Sequence, residues 1–121
     1  MFRETLRRYR VHVGVEGELE GVEIVFWADW YDGPVSGVAR HAGRELWFEA
    51  EPTFYAHGPR PLFLYPLTDD ELAQERELDR LYEEHAKGKP VEEWPSILRG
   101  RDFELPSAYA ARVSLGWFIA P

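Results

Sequence analysis

The segment from Val22 to Tyr31 constrains the fold most, because both of its period-two faces carry apolar side chains. One face consists of Val22, Ile24, Phe26, Ala28 and Trp30, and the other of Glu23, Val25, Trp27, Asp29 and Tyr31. Period-two alternation is typical of a β-strand. A strand with apolar residues on both faces needs cover on both sides, which indicates a central strand or a barrel strand.

Further strands are predicted on both sides of this segment. They cover residues 9–15, 35–41, 44–51, 62–65 and 113–119, with a weaker candidate at 102–105. The turn signals Asp32-Gly33-Pro34 and Ala42-Gly43 separate successive strands, and three prolines with Gly58 mark residues 52–61 as a loop. Because the connections between most of these strands are short, the sheet is predicted to be antiparallel.

One segment carries complete start and stop signals for a helix. Thr68 as N-cap and Glu71 three residues later form a capping box, and Lys87-Gly88-Lys89-Pro90 ends the pattern. The predicted helix covers about residues 69–87. Its buried stripe is predicted to consist of Leu78, Leu81, Tyr82 and His85, with an acidic outer face. Helical turns are predicted near residues 96–98 and 108–111.

These elements predict a single α+β domain over residues 1–121. It is a small curled antiparallel sheet, or a partly open barrel, of five to six strands with one long helix packed on it. The length of 121 residues suits one domain, and 45% apolar residues suffice for one core. The aromatic content of 15% argues against disorder.

The composition excludes several classes of site and partner. With no cysteine, the chain cannot form disulfides, thiolate nucleophiles or cysteine-based metal sites. The four histidines lack metal-ligand spacing, and neither a P-loop nor a dinucleotide fingerprint occurs, so no metal and no cofactor is expected. A net charge of −8 disfavours nucleic acid as a partner. No apolar run is long enough to span a membrane, and a cytoplasmic location is expected.

The choice of polar residues indicates a stable protein. The chain has no Asn and a single Gln, Gln74, and its 14 basic residues are mostly Arg. Loss of Asn, Gln and Cys is a thermophile tendency, because these residues are thermolabile. The Arg excess also fits a GC-rich genome. We therefore expect a thermostable protein from a bacterial source.

Candidate site residues concentrate near the end of the first strong strand. Asp29 and Asp32 flank Trp30-Tyr31, an arrangement that could form a glycosidase-like carboxylate pair or a metal site. The competing interpretation has no site: Asp32 is an ordinary turn residue before Gly33-Pro34, and Asp29 faces solvent. His57 lies in the proline-rich loop and is a further candidate, because loops often carry functional residues.

The aromatic residues that share faces with acids are the most informative for function. Trp27 and Tyr31 alternate with Asp29, and Trp47 lies between Glu45 and Glu49. The acids of the second run, which also includes Glu51, are interpreted as a solvated strand face. If these faces point outward, they form an apolar patch with an acidic rim, suited to an Arg-rich or Pro-rich peptide or to self-association. If the helix covers them, the aromatics belong to the core.

The leading functional hypothesis is a small non-catalytic protein that binds another protein, or a second copy of itself as a homodimer. The predicted binding residues are Trp27, Asp29, Tyr31, Asp32, Trp47 and His57, and no catalytic residue is predicted. The alternative is a small-ligand-binding or hydrolytic domain with a pocket between sheet and helix. A deep aromatic cleft that holds a carboxylate of perturbed pKa would favour the alternative.

Overall fold

The strands form one antiparallel sheet whose spatial order follows the sequence. The computed structural model describes residues 18–30, 34–50, 61–99 and 107–119. In these ranges the sheet has five strands: β1 (Glu23–Trp30), β2 (Pro34–His41), β3 (Arg44–Ala50), β4 (Pro61–Tyr65) and β5 (Gly116–Ile119). Each strand pairs antiparallel with its neighbour in sequence. The predicted α+β class with an antiparallel sheet is confirmed. The predicted strands at 9–15 and 102–105 and the loop from residue 52 to residue 60 lie outside the described residues.

The last strand is shorter than predicted. Alternation extends from Val113, but the ladder with β4 begins only at Gly116. The Gly116 N–H donates a hydrogen bond of 3.1 Å to the Ser114 hydroxyl two residues earlier. A serine side chain that bonds nearby backbone competes with strand pairing. Val113 lies outside the sheet, with 84% of its surface exposed.

The main helix begins as predicted and ends slightly earlier. Helix α1 covers Asp69–His85, and both hydrogen bonds of the capping box between Thr68 and Glu71 are present. After it come a 3₁₀ helix at Val91–Glu93, the short helix α2 at Ser96–Arg99 and a second 3₁₀ helix at Ala108–Ala111. The two helical turns predicted near residues 96–98 and 108–111 are therefore confirmed.

The larger buried cluster lies on one face of the sheet. It consists of Ala39, Leu46, Phe48, Ala50, Leu62, Leu64 and Phe118. Leu19, Val22 and Ile24 pack against this cluster from β1 and the segment before it. The Leu19 N–H donates to the Trp117 carbonyl at 2.8 Å, and Glu18 and Trp117 form an isolated parallel bridge. The sheet thus curls until the chain before β1 reaches β5, although it is not closed.

The opposite face of β3 is also covered, which corrects the prediction of a solvated acidic face. Arg76 from α1 forms an ion pair with Glu45, and the Tyr109 ring packs edge-on against Trp47 with centroids 5.0 Å apart. Trp47 and Glu49 retain only 3% and 2% exposure. Glu51 lies outside the described residues. The face is buried because α1 and the second 3₁₀ helix pack on it.

His85 also differs from its predicted burial in the helix stripe. Its side chain is 54% exposed. Ala86 takes the buried place and joins Leu78 and Leu98 in a small cluster, against which Leu81 and Tyr82 are partly buried. Because Leu78, Tyr82 and Ala86 repeat every four residues, the buried stripe passes through position 86 rather than 85.

Candidate functional site

A cleft of about 910 Å³ separates β1 from the helical part of the molecule. Residues 25–29 of β1 form one wall. The other wall combines residues of α1 with residues of the segment that follows it: Glu75, Leu78, Asp79, Tyr82, Glu83, Lys87, Val91, Trp94, Leu98 and Arg99. Segments about 50 residues apart in the sequence therefore meet at one site.

The β1 wall owes its composition to an irregular strand. A regular strand turns alternate residues to opposite faces, yet five consecutive residues line this cleft. The register between β1 and β2 shifts between Ile24 and Phe26, between Trp27 and Asp29, and again before Trp30. Such bulges re-aim side chains locally. Trp27, with 51% of its surface exposed, and the partly buried Asp29 both line the cleft.

Gly37 of β2 allows β1 to approach closely behind Trp27. The two residues are paired across the strands. A Cβ atom at position 37 would lie 2.2 Å from the Phe26 carbonyl oxygen and 2.9 Å from the Trp27 Cα. Since these neighbours are backbone atoms, they cannot move aside as a flexible side chain would. The position of Trp27 therefore depends on the absence of a side chain at residue 37.

The helical wall is held by aromatic packing. Tyr82 and Trp94 make an edge-to-face contact with ring centroids 5.6 Å apart and an interplanar angle of 84°. The Trp94 Nε1–H donates to the Lys89 carbonyl at 2.9 Å. Both rings lie against the cluster formed by Leu78, Ala86 and Leu98. These contacts fix two aromatic side chains on the wall opposite Trp27.

Among the described residues that line the cleft, carboxylates outnumber cations. The acids are Asp29, Glu75, Asp79 and Glu83, and the bases are Lys87 and Arg99. Lys87 is already paired with Glu83, its Nζ lying 3.2 Å from a carboxylate oxygen. Glu75 is 97% buried at the base of the cleft and accepts a hydrogen bond of 2.9 Å from the Tyr109 hydroxyl. The cleft is thus an aromatic site of negative charge.

Asp79 is the acid whose titration the site changes. Burial raises the pKa of its carboxyl group, and the negative charge of Glu83 adds to the effect. Among the described residues, none forms a hydrogen bond or ion pair with the Asp79 carboxylate, although the positive charges of Arg76 and Lys87 partly oppose the rise in its pKa. The carboxylate of Asp79 is therefore less stable in its charged form than an ordinary surface aspartate.

The structure brings together only part of the predicted site. Trp27 and Asp29 lie in the cleft, whereas Trp47 lies in the core beneath Tyr109. Tyr31, Asp32 and His57 fall outside the described residues. The sequence interpretation missed the helical wall, in particular Asp79 and Trp94. A signal for it existed, because acids recur every four residues at 75, 79 and 83 and so lie along one helix face.

Trp47 has a structural role that connects to the cleft. Its Nε1–H donates to Glu49 at 2.9 Å, and the other Glu49 oxygen accepts from the Ser107 backbone N–H at 2.9 Å. The Trp47 ring supports Tyr109, which in turn donates to Glu75 at the cleft base. Each of the two buried acids, Glu49 and Glu75, thus has a hydrogen-bond partner.

Two further features are absent from the described ranges. No group of three or more histidine, aspartate or glutamate side chains there could hold a metal ion. No helix in the same ranges combines the length and the apolar character needed to cross a membrane.

Comparisons with family models, with curated proteins and with solved structures give no match to this chain.

Proposed function

We propose that this chain is a non-catalytic binding protein and that the cleft between β1 and α1 takes an extended segment of a partner protein. The exposed indole of Trp27 carries the proposal. A tryptophan with 51% of its surface exposed, opposite a second aromatic wall, is typical of a protein interaction site. Val91, also in the lining and 57% exposed, extends the apolar surface.

The dimensions of the cleft favour a peptide segment. Along β1 the lining runs from Val25 to Asp29, about 13 Å at the rise of a strand. Along α1 it runs from Glu75 to Glu83, about 12 Å at the rise of a helix. Both lengths match about four residues of extended chain.

A small cationic ligand, bound alone or hydrolysed, is the second candidate. The volume of about 910 Å³ falls within the range of small-molecule pockets, roughly 300–1,000 Å³. The raised pKa of the Asp79 carboxyl group, inside an aromatic cleft, supports this candidate as well. The two candidates share one site and differ in the size of the occupant.

Peptide display against the full chain tests the proposed function. A library of random peptides is selected on the wild-type protein, on Trp27→Ala and on Val113→Ala. Val113→Ala is the matched control, because it removes an exposed apolar side chain outside the cleft. We expect wild type and Val113→Ala to enrich the same peptides and Trp27→Ala to lose them, with circular dichroism unchanged.

Two outcomes would overturn the proposal. Failure to enrich any peptide, or enrichment that Trp27→Ala leaves intact, would remove the cleft as a peptide site. Size-exclusion chromatography of the same variants tests the homodimer. If the protein is a dimer that Trp27→Ala dissociates and Val113→Ala leaves intact, the occupant of the cleft is a second copy of the chain.

A further inference from the structure

We infer that the segment bound in the cleft carries an arginine, whose guanidinium group lies against Trp27 and pairs with the carboxylate of Asp79. This inference rests on the proposed function and specifies the chemistry of the partner. It follows from the charge of the cleft, the surroundings of Asp79 and the aromatic lining.

The charge balance of the cleft calls for a cation. Among the described lining residues, four carboxylates face two basic side chains. Lys87 is paired with Glu83, and Glu75 accepts a hydrogen bond from Tyr109. The whole chain carries a net charge of −8, which attracts a basic partner over a longer range. A basic segment therefore complements both the cleft and the surface around it.

Asp79 is the carboxylate best placed to accept that cation. Asp79 is partly buried, and no described residue forms a hydrogen bond or ion pair with its carboxylate. The buried Glu75 and the Tyr82 ring are its neighbours on α1, four and three residues away. Burial and Glu83 raise the pKa of Asp79 by more than the charges of Arg76 and Lys87 lower it, so the carboxylate is charged at a net cost in the free protein. A cation that pairs with Asp79 removes part of this cost, which adds to the affinity.

The aromatic lining favours arginine over lysine. A guanidinium group is planar and weakly hydrated, stacks on aromatic rings and can donate two parallel hydrogen bonds to a carboxylate. Trp27 offers an exposed indole in the same cleft as Asp79. A lysine ammonium is more strongly hydrated and lacks the planar fork. Trp27 and Asp79 thus provide, in one cleft, the aromatic ring and the carboxylate that an arginine side chain binds.

A double-mutant cycle tests the pairing. The peptide enriched most strongly on the wild-type protein is synthesised with arginine and with its neutral isostere citrulline. Both peptides are titrated calorimetrically against wild type, Asp79→Asn and Asp70→Asn. The Asp70→Asn control removes the same charge from an exposed site on the same helix, outside the cleft. We expect citrulline to weaken binding about tenfold in wild type and in Asp70→Asn, and to have little effect in Asp79→Asn.

The outcomes separate this inference from the proposed function. Enriched peptides that depend on Trp27 but lack arginine would overturn the arginine–Asp79 pair. So would a loss of affinity on citrulline substitution that is as large in Asp79→Asn as in wild type. Either result would leave the proposed peptide binding intact. A library that yields no Trp27-dependent peptide would overturn both. Acetyl-arginine amide serves as a small probe: binding as tight as that of the peptide would assign the cleft to a small cation instead of a protein segment.

Discussion

At the scale of single residues, the burial of Trp47 shows how strongly the outer face of β3 is tied to the rest of the fold. Its indole N–H is bonded to Glu49, and its ring contacts Tyr109. The Glu49 carboxyl group in turn accepts a hydrogen bond from the backbone N–H of Ser107. Removal of the indole would therefore leave a cavity and also deprive a buried carboxylate of a donor.

Replacement of Trp47 by alanine is expected to destabilise the protein by about 3–5 kcal/mol, the usual cost of deleting a large buried aromatic side chain. Trp47→Phe keeps much of the packing but removes the donor to Glu49, and should cost about 1–3 kcal/mol. Urea denaturation followed by fluorescence measures both values. A change in the free energy of unfolding below about 0.5 kcal/mol for Trp47→Ala would contradict the core position.

Glu71 links the start of α1 to the segment before β5. It completes the capping box with Thr68 and accepts from the Arg112 guanidinium group, with one contact of 2.7 Å. The same Arg112 donates to the Pro66 carbonyl at 2.6 Å and lies over the Tyr109 ring. The hydrogen bonds from Arg112 and Thr68 lower the pKa of Glu71 from 4.5 to about 2.

This shift predicts a pH dependence of stability. Because the pKa of Glu71 is lower in the folded protein than in the unfolded chain, its stabilising effect is complete above pH 4.5 and is lost as the pH falls towards 2. The difference in unfolding free energy between wild type and Glu71→Gln should therefore be largest at neutral pH and narrow in acid. Urea titrations at several pH values check this. A difference that stays constant with pH would contradict the ion pair with Arg112.

At the scale of elements, α1 depends on local signals at its start. The Glu71 N–H donates to the Thr68 hydroxyl at 3.2 Å, and the Thr68 N–H donates to the Glu71 carboxylate at 2.8 Å. Thr68→Ala removes the first of these bonds and is expected to cost about 1 kcal/mol. Thr68→Ser, which retains the hydroxyl, is the matched control. Chemical denaturation in which both variants match wild type would show that the cap contributes nothing.

The pairing of β1 with β2 depends on the space at Gly37. Gly37→Ala places a Cβ atom 2.2 Å from the Phe26 carbonyl oxygen, so the two strands must separate. We expect a loss of about 2 kcal/mol or more in the free energy of unfolding. Because Trp27 is paired with Gly37, the intrinsic fluorescence of the folded state should also change. Unchanged stability and fluorescence would contradict the close approach of the strands.

At the scale of the whole molecule, charge is arranged in linked pairs along α1. Arg80 contacts both Glu77 and Glu84, and Lys87 contacts Glu83. Isolated surface pairs contribute little at room temperature, but the desolvation cost of charged groups falls with temperature, so networks gain importance on heating. These ion pairs favour thermostability. The absence of Asn and Cys and the presence of a single Gln favour it as well.

Composition and ion pairs together predict a melting temperature above the mesophile range of about 45–65 °C. Scanning calorimetry at low and high salt measures it. The high-salt scan serves as an internal control, because screening should lower the melting temperature if the ion pairs contribute. A reversible transition within the mesophile range would leave a GC-rich genome as the explanation for the Arg excess.

Short-range signals in the sequence determined most of the elements. Alternation placed β1 to β4 within a residue or so of their observed bounds, and Ala42-Gly43 marked the turn between β2 and β3. The capping box located the first residue of α1. These features depend on neighbours within a few residues, such as a side-chain hydrogen bond to the next turn, and so they can be read before the chain folds.

Tertiary structure alone decided which residues form the site. Periodicity shows that Trp47 shares a face with acids, but the packing of α1 and Tyr109 determines that this face is buried. Trp27 was predicted on an equivalent face, yet 51% of its surface is exposed and it lines the cleft. Asp79 reaches the same cleft only because α1 packs beside β1. The physical reason is that side-chain spacing fixes which residues share a face, whereas cover, cavities and the meeting of distant segments arise only when the elements pack together.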